Sequence, residues 1–326
     1  MQGIIPGLLL ALLVAAVATA GGVVLPVLGG PVLAIVLGVL LRSVVAPGPA
    51  YRAGISYAAK KVLQGAIVVS GFSLSLLTVV HTGLATLPIT LVTIAVALVI
   101  APVLGRWLRL HGAIRLLVGV GTAICGASAI AAVSTVIEPD EADVSLSIAT
   151  VFLFNIIAVL VFPPLGHLMH LSEYAFGVWA GTAINDTSSV VAAGYAYGQS
   201  AGAQATIVKL TRATLILPIV AALAVAHVRH NRAQGVRIPW VRIVPWFIVW
   251  FLLAALVNTT GVIPAGWHRG IALLATFLIT TALAAIGLQT EIAKLVRAGS
   301  RPLALGFLLW VAVAATSLAV QRAMGL

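Results

Sequence analysis

The stretch GTAINDTSS, residues 181–189, places five adjacent polar side chains in the middle of a long apolar run. A related stretch, GTAICGAS, residues 121–128, repeats its first four residues inside another apolar run. We call GTAICGAS the first phrase and GTAINDTSS the second phrase. Five consecutive polar side chains cannot all face lipid, so they must face protein or a water-filled cavity. With Gly181 before them and Gly194 after them, the second phrase predicts a helix that unwinds inside the membrane.

The composition around the two phrases is that of a polytopic membrane protein. Of the 326 residues, 62% are hydrophobic and only 8% are charged, whereas soluble domains carry about 25% charged residues. Apolar runs of about 20 residues, the length of a membrane-crossing helix, recur along the chain. We therefore predict an all-α membrane protein whose residues 1–326 form a single transmembrane domain in the cytoplasmic membrane. The run at 4–25 is interpreted as a first span rather than as a removed signal peptide.

Eleven transmembrane helices are predicted from the apolar runs. The predicted spans are 4–25, 29–45, 62–80, 84–104, 113–134, 144–169, 173–195, 202–226, 242–258, 269–290 and 302–321. With the N-terminus in the cytoplasm, this count places fourteen of the eighteen Lys and Arg residues in inward loops or at the inward ends of spans. They are Arg42, Arg52, Lys60, Lys61, Arg106, Arg109, Arg115, Arg229, Arg232, Arg237, Arg242, Lys294, Arg297 and Arg301. Because cytoplasmic loops are enriched in Lys and Arg, the separation favours a cytoplasmic N-terminus and an external C-terminus.

A weak internal repeat indicates the architecture of a secondary transporter. Gly71-Phe72-Ser73 and Gly287-Leu288-Gln289 open similar stretches that lie an odd number of spans apart. Copies at an odd offset face opposite ways, which is typical of inverted-repeat transporters with broken helices at the midplane. The predicted repeats cover about 4–134 and 202–321, linked by 144–195. The two phrases, in spans five and seven, run parallel by this count unless one of them breaks and re-enters.

Three charged side chains lie well inside the predicted spans rather than near a span end: Asp186, Lys209 and Arg212. Ionisable groups in hydrocarbon are costly and usually functional. Lys209 and Arg212 are three residues apart, so a helix places them on one face. We expect an internal cationic pair that neutralises Asp186, binds an anionic substrate, or does both in turn. The alternative is that both cations snorkel to the lipid headgroups.

The candidate binding residues come from the two phrases and the cationic pair. They are Thr122, Cys125, Gly126, Ser128, Asn185, Asp186, Thr187, Ser188, Ser189, Lys209 and Arg212. A broken helix exposes free N–H groups and the positive end of its dipole, which together attract anions. The alternative for the first phrase is tight helix packing through small residues, and for single hydroxyls a polar helix–helix contact.

The sequence lacks the motifs of several classes of function. The chain contains neither a phosphate-binding loop nor the HExxH pattern of a zinc enzyme. Neither Ser128 nor Ser188 has a histidine at its predicted depth that would make a nucleophile–base pair. We therefore expect no catalytic residue, cofactor or metal. The net charge of +11 is interpreted as membrane orientation rather than as nucleic-acid binding.

Three motifs resemble those of the YeiH-type membrane proteins, which are regarded as sulfate exporters. The motifs are GTAICGASAIAA (121–132), GTAINDTSSVVAAG (181–194) and VKLTR (208–212), and the resemblance covers essentially the whole chain. It implies export of sulfate or a related sulfur oxyanion. Family members often carry His where this chain has Asn185, which leaves Asp186 as the main candidate for proton coupling.

The sequence therefore predicts a secondary transporter that exports a small anion, with the bilayer, the anion and a proton or sodium ion as partners. Asp186 would be the coupling group, and Lys209 and Arg212 would supply positive charge. The rival function is a sodium or other cation–proton antiporter, in which Asp186 binds the cation and Lys209 competes for it. A homodimer is left open.

Overall fold

A computed structural model describes residues 3–24, 29–45, 47–231, 245–291 and 299–326, which fold entirely into helices and their connections. The α-helices are α1 (Ile5–Val24), α2 (Gly29–Val45), α3 (Pro49–Tyr57), α4 (Leu63–Gly71), α5 (Leu76–Trp107), α6 (Gly112–Ala123), α7 (Ala127–Ile137), α8 (Glu141–Leu168), α9 (Glu173–Ala183), α10 (Thr187–Tyr197), α11 (Gln199–Thr214), α12 (Ile216–Asn231), α13 (Trp246–Thr259), α14 (His268–Gln289) and α15 (Ser300–Ala323). A π-helix, Ala58–Val62, joins α3 to α4, and a short 3-10 helix, Ala265–Trp267, precedes α14.

Six of the described helical segments are long and apolar enough to cross a membrane. They are α1, α5, α8, α11 continued into α12, α14 and α15. Shorter apolar helices accompany them, among them α2, α6, α7 and α13. The protein is therefore a multi-pass membrane protein. Arg232, Arg237, Arg242, Lys294 and Arg297 of the predicted inward loops lie outside the described residues, as does the start of predicted span nine.

The predicted boundary between spans three and four is wrong. The sequence placed a link at 81–83, but α5 runs unbroken through it, and the chain instead turns at 72–75. The side chain of Ser75 caps α5 by accepting a hydrogen bond from the Thr78 amide at 3.4 Å. Gly83 does not end the helix because it is a packing residue: a Cβ there would lie 2.9 Å from Oγ1 of Thr211.

Helices α9 and α10 form a re-entrant helical hairpin, residues 173–197, which we call the second hairpin. Each half has 11 residues, about 16 Å at 1.5 Å per residue, or half of the hydrocarbon core. Gly177 packs on Ala201 and Gly181 packs on Val208, so α9 runs in the same direction as α11. Gly194 packs against the first turns of α11, so α10 runs the opposite way. The hairpin therefore enters and leaves at one end of the molecule.

Helices α6 and α7 form the first hairpin, residues 112–137. Ile130 packs directly on Gly121, since a Cβ on that glycine would lie 2.8 Å from the Ile130 Cδ1 atom. In a continuous helix these residues would be about 13 Å apart along the axis. The chain turns at Gly126, which adopts the left-handed φ of 66° that favours glycine. Two half-helices thus replace the continuous span predicted at 113–134.

The two hairpins enter from opposite ends of the molecule. Lys209 reaches the carbonyl of Ile124, and Arg212, one turn later in α11, reaches the earlier carbonyl of Thr122. This order shows that α6 runs opposite to α11, whereas α9 runs with it. The two phrases therefore do not run parallel. The alternative of a span that breaks and re-enters holds for both, so two of the eleven predicted spans do not cross. The larger repeat over 4–134 and 202–321 stays a prediction.

Re-entry changes the position of two loops without disturbing the charge separation. The acidic loop at 138–143, which follows predicted span five and is therefore external by the eleven-span count, lies at the same end as the start of α6. The loop at 169–172 moves to the other end. Neither loop contains Lys or Arg, so the pattern of basic residues is identical with and without the hairpins. For this reason, the distribution of Lys and Arg could not show that two predicted spans are re-entrant hairpins.

Candidate functional site

The tip of the second hairpin is organised by Asp186, which caps α10. Its Oδ2 atom accepts hydrogen bonds from the amides of Ser188 at 2.9 Å and Ser189 at 3.2 Å, and from the Ser188 hydroxyl. Aspartate is among the best N-cap residues because its carboxylate satisfies amides that have no partner in the helix. The negative charge also offsets the positive end of the α10 dipole. Thr187, the first residue of α10, is half-buried.

Asn155 of α8 holds the turn between α9 and α10 in place. Its Oδ1 atom accepts hydrogen bonds from the backbone amides of Asn185 at 3.1 Å and Asp186 at 3.2 Å. The signal in the sequence that could have identified Asn155 is a carboxamide in the middle of an apolar span. The buried Oδ1 atom of Asn185 itself has no hydrogen-bond partner among the described residues.

The tip of the first hairpin leaves the start of α7 open. Gly126 is the N-cap residue and provides no side-chain hydrogen bond. Ala127 and Ser128 are exposed, whereas residues 117–126 before them are buried. A Cβ on Gly126 would lie 3.7 Å from both the Asp186 Cβ and the Asn155 Nδ2 atoms. The two tips therefore meet, and α7 begins beside Asp186 and Asn155.

Lys209 joins the two tips from α11. Its ammonium group is fully buried and donates hydrogen bonds to the carbonyls of Ile124 at 2.7 Å and Ile184 at 3.0 Å. These carbonyls immediately follow α6 and α9, at the negative ends of both helix dipoles. A cation at that position stabilises both helix ends at once.

Arg212 extends this contact along the first hairpin. Its Nε atom donates to the carbonyl of Ala123 at 2.6 Å, and its Nη2 atom donates to the carbonyl of Thr122 at 3.2 Å. Its third nitrogen, Nη1, is buried without a partner among the described residues. The alternative that Lys209 and Arg212 snorkel to headgroups is wrong, because both side chains are fully buried and bonded to the hairpin tips.

The structure brings the predicted residues of both phrases and the cationic pair to one place, but their partners differ. No ion pair joins Asp186 to Lys209 or Arg212 among the described residues, since the cations bind carbonyls and the carboxylate binds amides. Thr122 contributes its backbone carbonyl. The buried thiol of Cys125 lies within range of the charges of Lys209, Asp186 and Arg212.

A second buried polar cluster flanks the second hairpin, and sequence reasoning missed it. The hydroxyls of Thr182 in α9 and Ser317 in α15 lie 2.6 Å apart. The Nε2 atom of Gln321 donates to Ser317 at 3.2 Å. Single polar residues in the last span carried no distinguishing pattern, so only the packing of α15 on α9 reveals the cluster.

Comparison with known proteins places the chain in a family. The family model described as Conserved hypothetical protein 698 matches residues 6–306. The chain belongs to this family. It is the YeiH family that the three motifs indicated. A UPF0324 membrane protein of Streptococcus pyogenes serotype M3 is 42% identical over 99% of this chain and 98% of the relative. A UPF0324 membrane protein of Fusobacterium nucleatum subsp. nucleatum is 39% identical over 98% of each chain. No solved structure matches.

Proposed function

We propose that the protein is a secondary transporter that exports a small anion across the cytoplasmic membrane, with the substrate site at the meeting point of the hairpin tips. The observation that carries the proposal is the uncapped start of α7, exposed at Ala127 and Ser128, next to two buried cations. Transporters place substrate sites at discontinuous helices near the midplane, where half-helix N-termini contact anionic groups.

The charge balance at the tips supports an anion. Lys209 and Arg212 contribute two positive charges, and Asp186 contributes one negative charge. The ends of the four half-helices carry about half a charge each, positive at α7 and α10 and negative at α6 and α9, so they cancel. The tips thus hold a net charge of about +1 in a region with little solvent, where an unpaired charge is costly. A bound anion would offset this positive charge.

The open tip also has groups suited to oxyanion oxygens. The first amides of α7 have no partner within their helix, and the Ser128 hydroxyl lies in the same exposed turn. Backbone amides at a helix start are a common binding site for sulfate and phosphate. We propose sulfate or a related sulfur oxyanion as the substrate, in keeping with the family resemblance.

Asp186 is the proposed coupling group. Its Oδ2 atom takes all three hydrogen bonds from α10, and its Oδ1 atom has none among the described residues. Protonation of Asp186 would raise the charge of the tips by one and weaken the cap of α10. The protonation of Asp186 would therefore be coupled to the occupancy of the anion site, because each changes the net charge of the tips.

We propose that the end rich in Lys and Arg faces the cytoplasm, which places the N-terminus inside and the C-terminus outside. A reporter enzyme that is active only in the periplasm, fused after Leu326, tests this orientation. Activity is expected for the C-terminal fusion and not for an N-terminal fusion. The reverse result would contradict the orientation without affecting the fold.

A cation–proton antiporter is the second candidate, and one observation favours it. Asp186 is only half-buried, and its free Oδ1 atom lies beside a turn whose Ile184 carbonyl already binds a cation, the ammonium of Lys209. A sodium ion there would bind the carboxylate and compete with Lys209 for the carbonyl.

Flux measurements in proteoliposomes separate the two functions. The purified protein should support saturable exchange of labelled sulfate or sulfite, faster than in liposomes that contain the Asp186→Asn variant. Absence of anion flux together with sodium-dependent collapse of a pH gradient would establish the antiporter instead. Absence of both activities under either gradient would refute transport of these ions.

A further inference from the structure

We propose that the groove between α5 and α6 is a binding site for an anionic phospholipid, whose phosphate binds Arg106 and Arg115. The groove has a volume of about 350 Å³. Both arginines line it, together with an apolar wall formed by Leu98, Ala101 and Leu116. This combination of two guanidinium groups and an apolar wall matches a lipid, which carries an anionic head on an acyl chain.

The exposed side chains of α5 place the groove at the membrane surface. Val103 is 57% exposed and Trp107 is 74% exposed, so this part of α5 faces lipid rather than protein. Tryptophan concentrates at the membrane–water interface, where its ring contacts both the headgroups and the chains. Arg106 is the neighbour of this tryptophan, and its guanidinium is therefore at the level of the lipid phosphates.

Both arginines are held in position and keep donors free. The Arg106 Nε atom donates to the Pro102 carbonyl at 3.1 Å, and the residue is exposed. The stem of Arg115 lies directly on Gly105, where any Cβ would collide with its Cγ and Cδ atoms. Neither side chain forms an ion pair among the described residues. Planar guanidinium groups with free donors bind phosphate oxygens in pairs.

The apolar wall distinguishes a lipid from a soluble anion. Free phosphate or sulfate would use the two arginines and leave the half-buried side chains of Leu98 and Leu116 uncovered. A lipid covers those side chains with an acyl chain, which adds burial of apolar area to the charge contact. The groove therefore fits an anionic phospholipid, and inorganic phosphate is the probe that distinguishes a lipid site from a soluble-anion site.

Thermal unfolding of the purified protein in a neutral detergent tests the site. Phosphatidylglycerol should raise the unfolding temperature by an amount on the order of 5 °C, because it binds the folded state alone. Phosphatidylcholine and inorganic phosphate should each give less than half of that rise. An equal rise with phosphatidylcholine would refute recognition of charge, and an equal rise with inorganic phosphate would show a soluble-anion site instead.

Matched variants test the residues. The double variant R106Q/R115Q should lose the rise, whereas Arg109→Gln, in the same turn but not in the groove, should keep it. A full rise in the double variant, or an equal loss in Arg109→Gln, would overturn the proposal. The variant Leu98→Trp fills the groove with both charges in place and should also abolish the rise. If the double variant does not fold, native mass spectrometry of Leu98→Trp tests the site instead. Retention of as much phosphatidylglycerol as in the wild type would refute the site.

Discussion

The first and second hairpins contain the same four residues, Gly-Thr-Ala-Ile, but the second helix of each hairpin begins differently. In both, Gly-Thr-Ala closes a half-helix, at Ala123 in α6 and at Ala183 in α9, and the isoleucine carbonyl that follows binds Lys209. The next residues differ. Gly126 starts α7 without a cap, whereas Asp186 caps α10 with its carboxylate. The shared residues build a common helix end for a cation, and the two residues after them decide whether the next helix start is open or occupied.

The largest effect is expected from removing the contact that both hairpins share. Lys209→Met would leave the buried carbonyls of Ile124 and Ile184 without a donor. The expected loss is about 3 kcal/mol of unfolding free energy, since each unpaired buried carbonyl costs ~1–3 kcal/mol. Thermal unfolding monitored by size-exclusion chromatography measures the loss. Thr211→Val is the matched control, because its hydroxyl bonds only within α11, to Ile207. Equal stability of both variants would refute the bridging role of Lys209.

The second prediction separates the cap from the charge in the second hairpin. Asparagine caps helices about as well as aspartate, so Asp186→Asn should change the unfolding free energy by less than about 1 kcal/mol. Anion flux should fall at least about 100-fold, equivalent to ~2.7 kcal/mol, because the variant cannot exchange a proton. Flux in proteoliposomes and unfolding in detergent measure the two quantities. Asp140→Asn, an exposed N-cap aspartate of α8, should leave both unchanged. Wild-type flux in Asp186→Asn would exclude Asp186 as the coupling group.

The third prediction concerns the turn of the first hairpin. Gly126→Ala has room for a Cβ, since the nearest atoms lie 3.7 Å away, but the backbone has φ of 66° and ψ of −130°. That conformation costs a residue with a side chain about 2 kcal/mol. Unfolding measurements should show this loss, whereas Gly65→Ala, in a helix with open space, should be neutral or slightly stabilising. A neutral Gly126→Ala would mean that the turn relaxes easily.

The smallest effect is expected at the open start of α7. Ser128→Ala removes one neutral hydroxyl donor from the proposed anion site. We expect the half-saturating anion concentration to rise roughly threefold to tenfold, since a neutral hydrogen bond contributes ~0.5–1.5 kcal/mol. Ser134→Ala, further along the same helix and bonded to Ile130, should have no effect on flux. If the two variants behave identically, Ser128 does not contact the substrate.

The sequence predicted some of the breaks in the helices, but it did not predict which residues the broken segments contact. The cluster at Asn185 and Asp186 predicted an unwound helix because consecutive polar side chains cannot face lipid. Gly126 carried no such signal, because a small residue fits a continuous packed helix equally well. Gly83 shows the converse: it predicted a link, yet it contacts Thr211 inside a continuous helix.

Re-entry could not be read from the chain for a physical reason. Two apolar half-helices joined by a short turn have the length and hydropathy of one crossing helix. The loops that change ends, 138–143 and 169–172, contain no Lys or Arg, so the pattern of Lys and Arg stays the same. The directions of the half-helices follow only from tertiary contacts, such as those of Gly121 with Ile130 and of Gly177 with Ala201.

By itself, the sequence determined that this is a multi-pass helical membrane protein of the YeiH family, with most basic residues between particular helices and an unwound segment at Asp186. Composition and local polarity suffice for these statements, because an unsatisfied polar group in the hydrocarbon core is costly wherever it lies in the chain. Only the tertiary structure decided that the hairpins enter from opposite ends, and that Lys209 and Arg212 bind helix carbonyls rather than Asp186. Those contacts join residues up to 90 positions apart, and such pairings depend on how the helices pack.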